Sequence, residues 1–248
     1  MGRKKGKGDD DERPQFYCKV ITQPFAISRY PVTVAQYQAF VDAGGYGDRR
    51  LWTDAGWKWK ESAKISGPRD FDPVFQTPNH PRVGVSWFEA LAFCRWLAEQ
   101  LKLPVKLPSE AEWERAARHT DARVFPWGNE EHGIEQRCNM DKTGLGHTSA
   151  VGMFPTGLAQ CEAADMAGNM WEWTRSEYRD YPYDLKGGRE ELEGEGARVL
   201  RGGSWRGPAG GARCAGRFVG GPGARGGLDG FRVVASPFFP LNSEPSGL

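Results

Sequence analysis

Thiols and imidazoles are the groups in this chain that could bind a metal or attack a substrate, so their spacing is read first. The five cysteines (Cys18, Cys94, Cys138, Cys161, Cys214) are scattered and odd in number, and no two form a C-x-x-C. That pattern fits reduced thiols better than a disulfide framework or a zinc site. The four histidines (His80, His119, His132, His147) form no i,i+4 pair and no ligand-like spacing. They read as isolated surface or core imidazoles. Nucleophilic and metal chemistry therefore has no compact signature here.

Binding chemistry has one. The segment Arg198 to Val234 holds 12 of the 33 glycines within 29 residues, from Gly202 to Gly230. Glycine gives up more backbone freedom on folding than any other residue, so such a run normally reads as a flexible linker. Here Trp205, Arg213, Arg217, Phe218 and Arg225 interrupt it, and the apolar run Gly230 to Val234 closes it. The segment is expected to be a loop-and-strand surface on a folded scaffold. Trp205, Phe231 and Val233 would be buried rails, with the positions between them facing solvent.

Three helices must position that surface, and capping chemistry marks each. Thr33 with Gln36 opens one over 34–45, with Val34, Tyr37 and Val41 on one face and Gly44 as its stop. Ser86 with Glu89 opens a second over 87–101, with Trp87, Leu91, Cys94, Leu97 and Leu101 on one stripe. On that stripe Cys94 is a small core residue rather than a reactive thiol. Ser109 with Glu112 opens a third over 111–119. Beyond Phe125 the helical period disappears into turns between short apolar runs at 150–154, 170–173, 198–202 and 230–234. That is an α+β fold with an irregular second half. Residues 181–197 are polar and expected to be an exposed excursion.

The bulk numbers fit one large domain: 248 residues, 39% apolar and 26% charged. Ten tryptophans point to a core built on indoles. A net charge of +1 disfavours nucleic acid as a partner, despite the local arginines. No window approaches the ~18 apolar residues of a membrane span. Residues 1–15 run basic then acidic with no apolar stretch, so they read as a disordered tail rather than a secretory signal, and a cytoplasmic location is expected. The domain would span 16–240, followed by a short tail over 241–248.

Seven ordered motifs carry a resemblance. They are 29–46 (RYPVTVAQYQAFVDAGGY), 80–97 (HPRVGVSWFEALAFCRWL), 107–119 (LPSEAEWERAARH), 125–130 (FPWGNE), 165–173 (DMAGNMWEW), 198–205 (RVLRGGSW) and 230–234 (GFRVV). Together they resemble the formylglycine-generating-enzyme/sulfatase-modifying-factor domain. The resemblance implies a C-type lectin fold, irregular, with short antiparallel strands and two to three helices. Oxidases of that type bind copper through two cysteines placed two and seven residues beyond the aromatic of Gly-Gly-Ser-aromatic. This chain has Gly207 and Ala212 there, and neither can replace a thiolate. No copper is expected, and Cys214 is off register and alone. The sulfoxide-synthase relatives need an iron-binding histidine cluster in an added helical domain, which these four histidines do not reproduce. The family's calcium loop would fall on Asp165, Gly168, Met170 and Glu172, giving carboxylate and carbonyl oxygens. A second calcium loop would fall on Asn139, Met140 and Leu145, with Thr143 in place of an aspartate and Asp141 able to compensate.

The segment 202–232 also resembles the variable region of diversity-generating-retroelement proteins. The frame of that region is kept at Gly202, Gly203, Ser204, Trp205, Pro208, Ala212, Arg213, Ala215, Arg217, Pro222, Arg225, Gly230, Phe231 and Arg232. The positions between carry Arg206, Gly207, Gly211, Cys214, Gly216, Phe218, Val219, Gly220, Gly221, Ala224, Gly226, Gly227, Leu228 and Asp229. All are types that codons ending in C can encode, as adenine-directed mutagenesis of AAC codons requires. This resemblance implies a non-catalytic display protein that binds a protein or other macromolecule through 206–229. The face is poor in strong anchors, with Phe218, Leu228, Arg206 and Asp229 offering most. The alternatives are a formylglycine-generating-type oxidase or other divergent enzyme of the family, and a sensor or effector module of a larger signalling protein.

Overall fold

A computed structural model describes residues 1–4, 8–22 and 24–235. In chain order its elements begin with β1 (Ala26–Ile27), α1 (Val34–Asp42), α2 (Asp54–Ser62), α3 (Trp87–Leu101), β2 (Val105–Lys106) and α4 (Glu110–Arg118). There follow β3 (Trp171–Glu177), β4 (Arg198–Arg201), β5 (Arg217–Gly220), β6 (Asp229–Gly230) and β7 (Val234–Ala235). Among the described residues no helix is long and apolar enough to cross a membrane.

Local chemistry starts three of the helices. At α1, α3 and α4 the Thr33, Ser86 and Ser109 side chains accept from the third helical amide, and Gln36, Glu89 and Glu112 accept in return from the cap amide. Two otherwise orphaned donors are satisfied at each start. The fourth helix, α2, exceeds the expected number. Thr53 caps it through the Gly56 amide, with no acid at the third position to complete a box. On α3 the stripe is buried from Trp87 to Cys94, but Leu101 at its end is half exposed.

The expected α+β architecture holds. One sheet runs β5-β4-β3-β6, antiparallel except for the parallel pair β3–β6. A small second sheet runs β1-β7-β2, so that Ala235 lies opposite both Ala26 and Val105. The run at 150–154 is a turn rather than a strand, because Gly152 takes φ +75° and donates its amide to Asp165. Between the larger sheet and α1 and α3 lies an aromatic core of Tyr37, Phe40, Trp52, Trp87, Phe93, Trp173 and Phe231. Buried indoles need acceptors. Trp87 donates to the Thr174 carbonyl at 2.9 Å, Trp173 to Val85 at 3.0 Å and Trp52 to Gly45 at 3.0 Å.

The other face of the sheet rests on buried ion pairs. Arg201 bonds Glu114 and the Gly216 carbonyl, while Arg217 Nε donates to Glu110 at 2.7 Å. Below them Arg232 forks onto Glu172 at 2.6 and 2.7 Å, and Trp113 Nε1 donates to the same carboxylate at 2.6 Å.

The charged tail and the 181–197 excursion both make specific contacts. In the charged tail, Glu12 is buried and paired with Arg213, Asp11 accepts from Tyr178, and the Gly2 amide donates to Glu114. Charges that read as solvated in sequence find partners on α4 and on 213–217. The excursion over 181–197 is pinned rather than free. Tyr181 and Tyr183 are buried with their hydroxyls on Glu110 and Glu190, and Arg189 is buried beside them. The expected boundary at 240 and the tail 241–248 lie outside the described residues.

Candidate functional site

Two glycines turn the chain out of β4: Gly202 and Gly203 take φ +97° and +81°, and a Cβ on Gly203 would lie 2.9 Å from the Gly211 carbonyl carbon. Trp205 is thereby delivered to one rim of the sheet, where its amide donates to the Asn169 carbonyl. Its ring centroid lies 5.8 Å from Phe75, and Phe75 lies 6.4 Å from His147 edge-on. His147 in turn stacks on His80, with centroids 6.1 Å apart and planes 22° apart. Three loops, at 71–80, 139–148 and 203–229, therefore meet in one aromatic and imidazole rim. Sequence spacing hid the histidine pair, because its members stand 67 positions apart.

The polar groups of this rim are specific. His147 Nδ1 lies 2.6 Å from the Thr148 carbonyl, which can only accept, so Nδ1 carries a proton. His80 Nδ1 sits 3.1 Å from the Thr148 hydroxyl. Burial, and then the His147 charge, hold the His80 pKa below the ordinary value. Trp205 Nε1–H is shielded from water and has no partner among the described residues. Such a donor costs about 1–3 kcal/mol until an acceptor arrives. Trp205 itself is only partly buried, as is Val233, so of the three expected rails Phe231 alone is fully enclosed.

Along the sheet from this rim lies a second group. Trp171 stacks on Phe218 with centroids 5.2 Å apart and planes 22° apart. Trp171 also pairs in register with Asp229 across the parallel β3–β6 contact. Burial pushes the Asp229 carboxyl up to about 6, with a Gly226 hydrogen bond opposing. A carboxyl perturbed in this way on a binding face marks a functional candidate.

The fourteen expected ligand-binding positions divide. Arg206, Phe218, Val219, Gly221 and Ala224 are exposed, and Gly207, Gly211, Gly220, Gly226, Gly227, Leu228 and Asp229 are partly buried. Cys214 and Gly216 do not belong to the face. Cys214 is fully enclosed with its Sγ on the Ala117 carbonyl, and burial pushes its thiol pKa up. Gly216 has the Gly211 oxygen 3.0 Å from where a Cβ would stand, and Gly220 has the Trp173 ring 2.5 Å away. These two glycines are packed against their surroundings rather than open to variation.

Neither calcium loop fits calcium. Both Glu172 oxygens are taken by Arg232, a cation already, and by Trp113. Asp165 accepts the Gly152 amide at 2.7 Å, and burial pushes its carboxyl up to about 6, the neutralising direction. Gly168 and Met170 remain as backbone of the turn into β3. In the second loop the Thr143 hydroxyl lies 3.0 Å from Asn139 Oδ1 and 2.6 Å from the Met140 carbonyl, occupying the oxygens a cation would use. Leu145 and Asp141 add no bond to that set. Iron fares no better: His80 and His147 are two imidazoles, and among the described residues no three His, Cys, Asp or Glu side chains converge. Copper would find Gly207 and Ala212 where thiolates are needed.

Comparisons with known proteins fall on this geometry. The family profile described as Sulfatase-modifying factor enzyme 1-like domain matches residues 1–237. A hercynine oxygenase from Mycolicibacterium thermoresistibile is 36% identical over 218 residues, covering 79% of this chain and 47% of that protein. A hercynine oxygenase from Mycobacterium tuberculosis is 35% identical, covering 79% of this chain and 48% of the other. The chain thus spans about half the length of the curated relatives it matches. Among solved structures, Treponema denticola variable protein 1 superposes with a TM-score of 0.64 at 23% identity, covering 86% of this chain and 84% of that one. At that identity the likeness concerns the fold. The relatives named as oxygenases overturn the expectation of a non-catalytic display protein, and with it the expectation that the chain is not an enzyme. The packed glycines at 216 and 220 point the same way, since a diversified face needs positions that tolerate any side chain.

Proposed function

The chain belongs to the sulfatase-modifying factor enzyme 1-like family, and from that premise we propose that it forms the substrate-binding part of an oxygenase acting on hercynine or a close analogue. The observation that carries this reading is the 36% identity to a hercynine oxygenase across 79% of the chain. The rim around Trp205 supports it.

Hercynine is a histidine betaine, with a flat imidazole and a carboxylate. A flat ring suits the rim formed by Trp205, Phe75 and His147, because aromatic groups prefer stacked or edge-on neighbours. Trp205 Nε1–H offers a donor that the chain leaves unpartnered, and a substrate carboxylate or ring nitrogen would accept it. His147, bonded through Nδ1 to the Thr148 carbonyl, leaves its Nε2 edge for a polar group of the substrate. Phe75 packs between Trp205 and His147 and flanks both groups. The chain's part is to bind, orient and hold a proton. Its described residues do not compose a redox metal site, so no oxidative step is assigned to them.

Isothermal titration of the full chain with hercynine, with histidine as the comparison, tests the reading. Saturable hercynine binding is expected, and Trp205→Ala should weaken it about tenfold or more, the loss of one well-placed stacking and hydrogen-bonding group. Absence of hercynine binding, or equal binding by Trp205→Ala, sinks it.

A further inference from the structure

We propose that Asp229 and the stacked pair Trp171–Phe218 form a receptor for an alkylammonium cation, the positive end of the bound substrate. Only the identity of that substrate rests on the oxygenase reading; the receptor is argued from its own geometry.

The register places these groups together. Trp171 and Asp229 are direct partners across β3 and β6, and paired residues of neighbouring strands project to the same face. On that face Trp171 leans onto Phe218, which is 49% exposed. An exposed aromatic ring stacked on an indole, with a partly buried carboxyl in register beside that indole, is a combination suited to quaternary and primary ammonium groups. Indole and phenyl faces attract the cation through their quadrupoles, and the carboxylate supplies the full opposite charge.

The surroundings give this carboxylate a backbone hydrogen bond from Gly226 but no counter-charge. Among the described residues no ion pair uses Asp229. The nearby Arg225 is turned elsewhere, its Nε 3.1 Å from Glu89 and its guanidinium on the Gly67 carbonyl. Gly226 packs beside it, and a Cβ there would displace Asp229 Oδ2. Gly211 lies beside the Trp171 ring, where a Cβ would touch it at 3.4 Å, so the ring face open to a ligand is that of Phe218. Burial holds the carboxyl proton on more firmly than in water, and an arriving cation reverses that preference by pairing with the ionised form. A role limited to capping the 226–229 turn would be served as well by asparagine, which separates the two roles experimentally.

Choline and its uncharged isostere 3,3-dimethylbutan-1-ol are the probes, titrated into the full chain while the indole N–H signals are followed by NMR. Choline should shift one indole signal, assigned to Trp171 by its loss in Trp171→Phe. The isostere should bind at least about fivefold more weakly, since it lacks the charge. Asp229→Asn should weaken choline about tenfold while the melting temperature stays put, and Phe218→Leu, at an exposed position, should weaken it without unfolding the chain. Equal binding of choline and the isostere, unchanged choline binding in Asp229→Asn, or no choline binding overturns the receptor. Titration with hercynine keeps the two readings apart. If hercynine binds wild type and Asp229→Asn alike, the receptor falls and the oxygenase reading stands. If choline binds at Trp171 and hercynine does not bind, the oxygenase reading falls and the receptor stands.

Discussion

At Asp165 the carboxyl is enclosed in the turn that leads into β3, with the Gly152 amide as donor and φ +55° at its own backbone. Burial lifts it from the ordinary 3.8 to about 6, so the fold prefers the neutral form. Its favourable contribution is complete below about pH 4 and is lost as pH rises through about 6. A rise of about two units corresponds to roughly 3 kcal/mol. Asparagine tolerates the same backbone region and never ionises. Asp165→Asn should therefore lessen the decline in stability between pH 4 and 7, leaving the share that the similarly raised Asp229 contributes, as read from urea midpoints at each pH. Parallel profiles for the two proteins would sink this account. The residue also shows why site chemistry was only partly legible in sequence. An aspartate and a glutamate in DMAGNMWEW look like cation ligands until Arg232, 60 positions on, is seen to occupy Glu172. Asp229 stood among the four side chains expected to offer most on the face, but its pairing with Trp171 was not legible. Its partner Trp171 comes from another strand.

Among the elements, the helices with capping boxes were legible because their signals are local, a hydroxyl and a glutamine or glutamate three residues apart. The second helix was not, because its Thr53 cap lacks that partner and its tryptophans alternate with lysines and give no clean stripe. Strand β5 was hidden by its glycines. Gly220 ends it against Trp173 and Leu200, where a Cβ would lie 2.5 and 2.9 Å from their atoms, while its neighbour Gly221 has nothing within 4 Å. Adjacent glycines thus differ sharply. Gly220→Ala should destabilise by roughly 1–3 kcal/mol through overpacking, whereas Gly221→Ala should stay within about 0.5 kcal/mol. Paired chemical denaturation measures both, and equal effects would mean that the strand end is looser than described.

For the molecule as a whole, charge is a structural material. Arg198, Arg201 and Arg232 rank among the largest fully buried side chains, beside the core tryptophans. The Arg232–Glu172 fork joins the 230–234 segment to β3 beneath Trp113. Removing one member leaves an uncompensated buried charge, at a cost of about 3–5 kcal/mol, whereas replacing both by apolar residues of similar volume restores much of it. Arg232→Met should therefore unfold at much lower denaturant than the double variant Arg232→Met/Glu172→Leu. A double variant no more stable than the single one would show that the fork's hydrogen bonds, rather than its charge balance, hold this region.

The position of β7 has a consequence for how the protein comes into being. It lies between β1 and β2, and the same short stretch brings Phe231 to the aromatic core and Arg232 to Glu172. A nascent chain that has not yet supplied residues 231–235 leaves β1 and β2 without the strand that joins them, the core without one of its rings and Glu172 without its counter-charge. Contacts between residues 26 and 235 close only after nearly everything between them has been made. Such long-range closure is slow. The domain should therefore fold in one late step once these residues leave the ribosome, rather than piece by piece during synthesis.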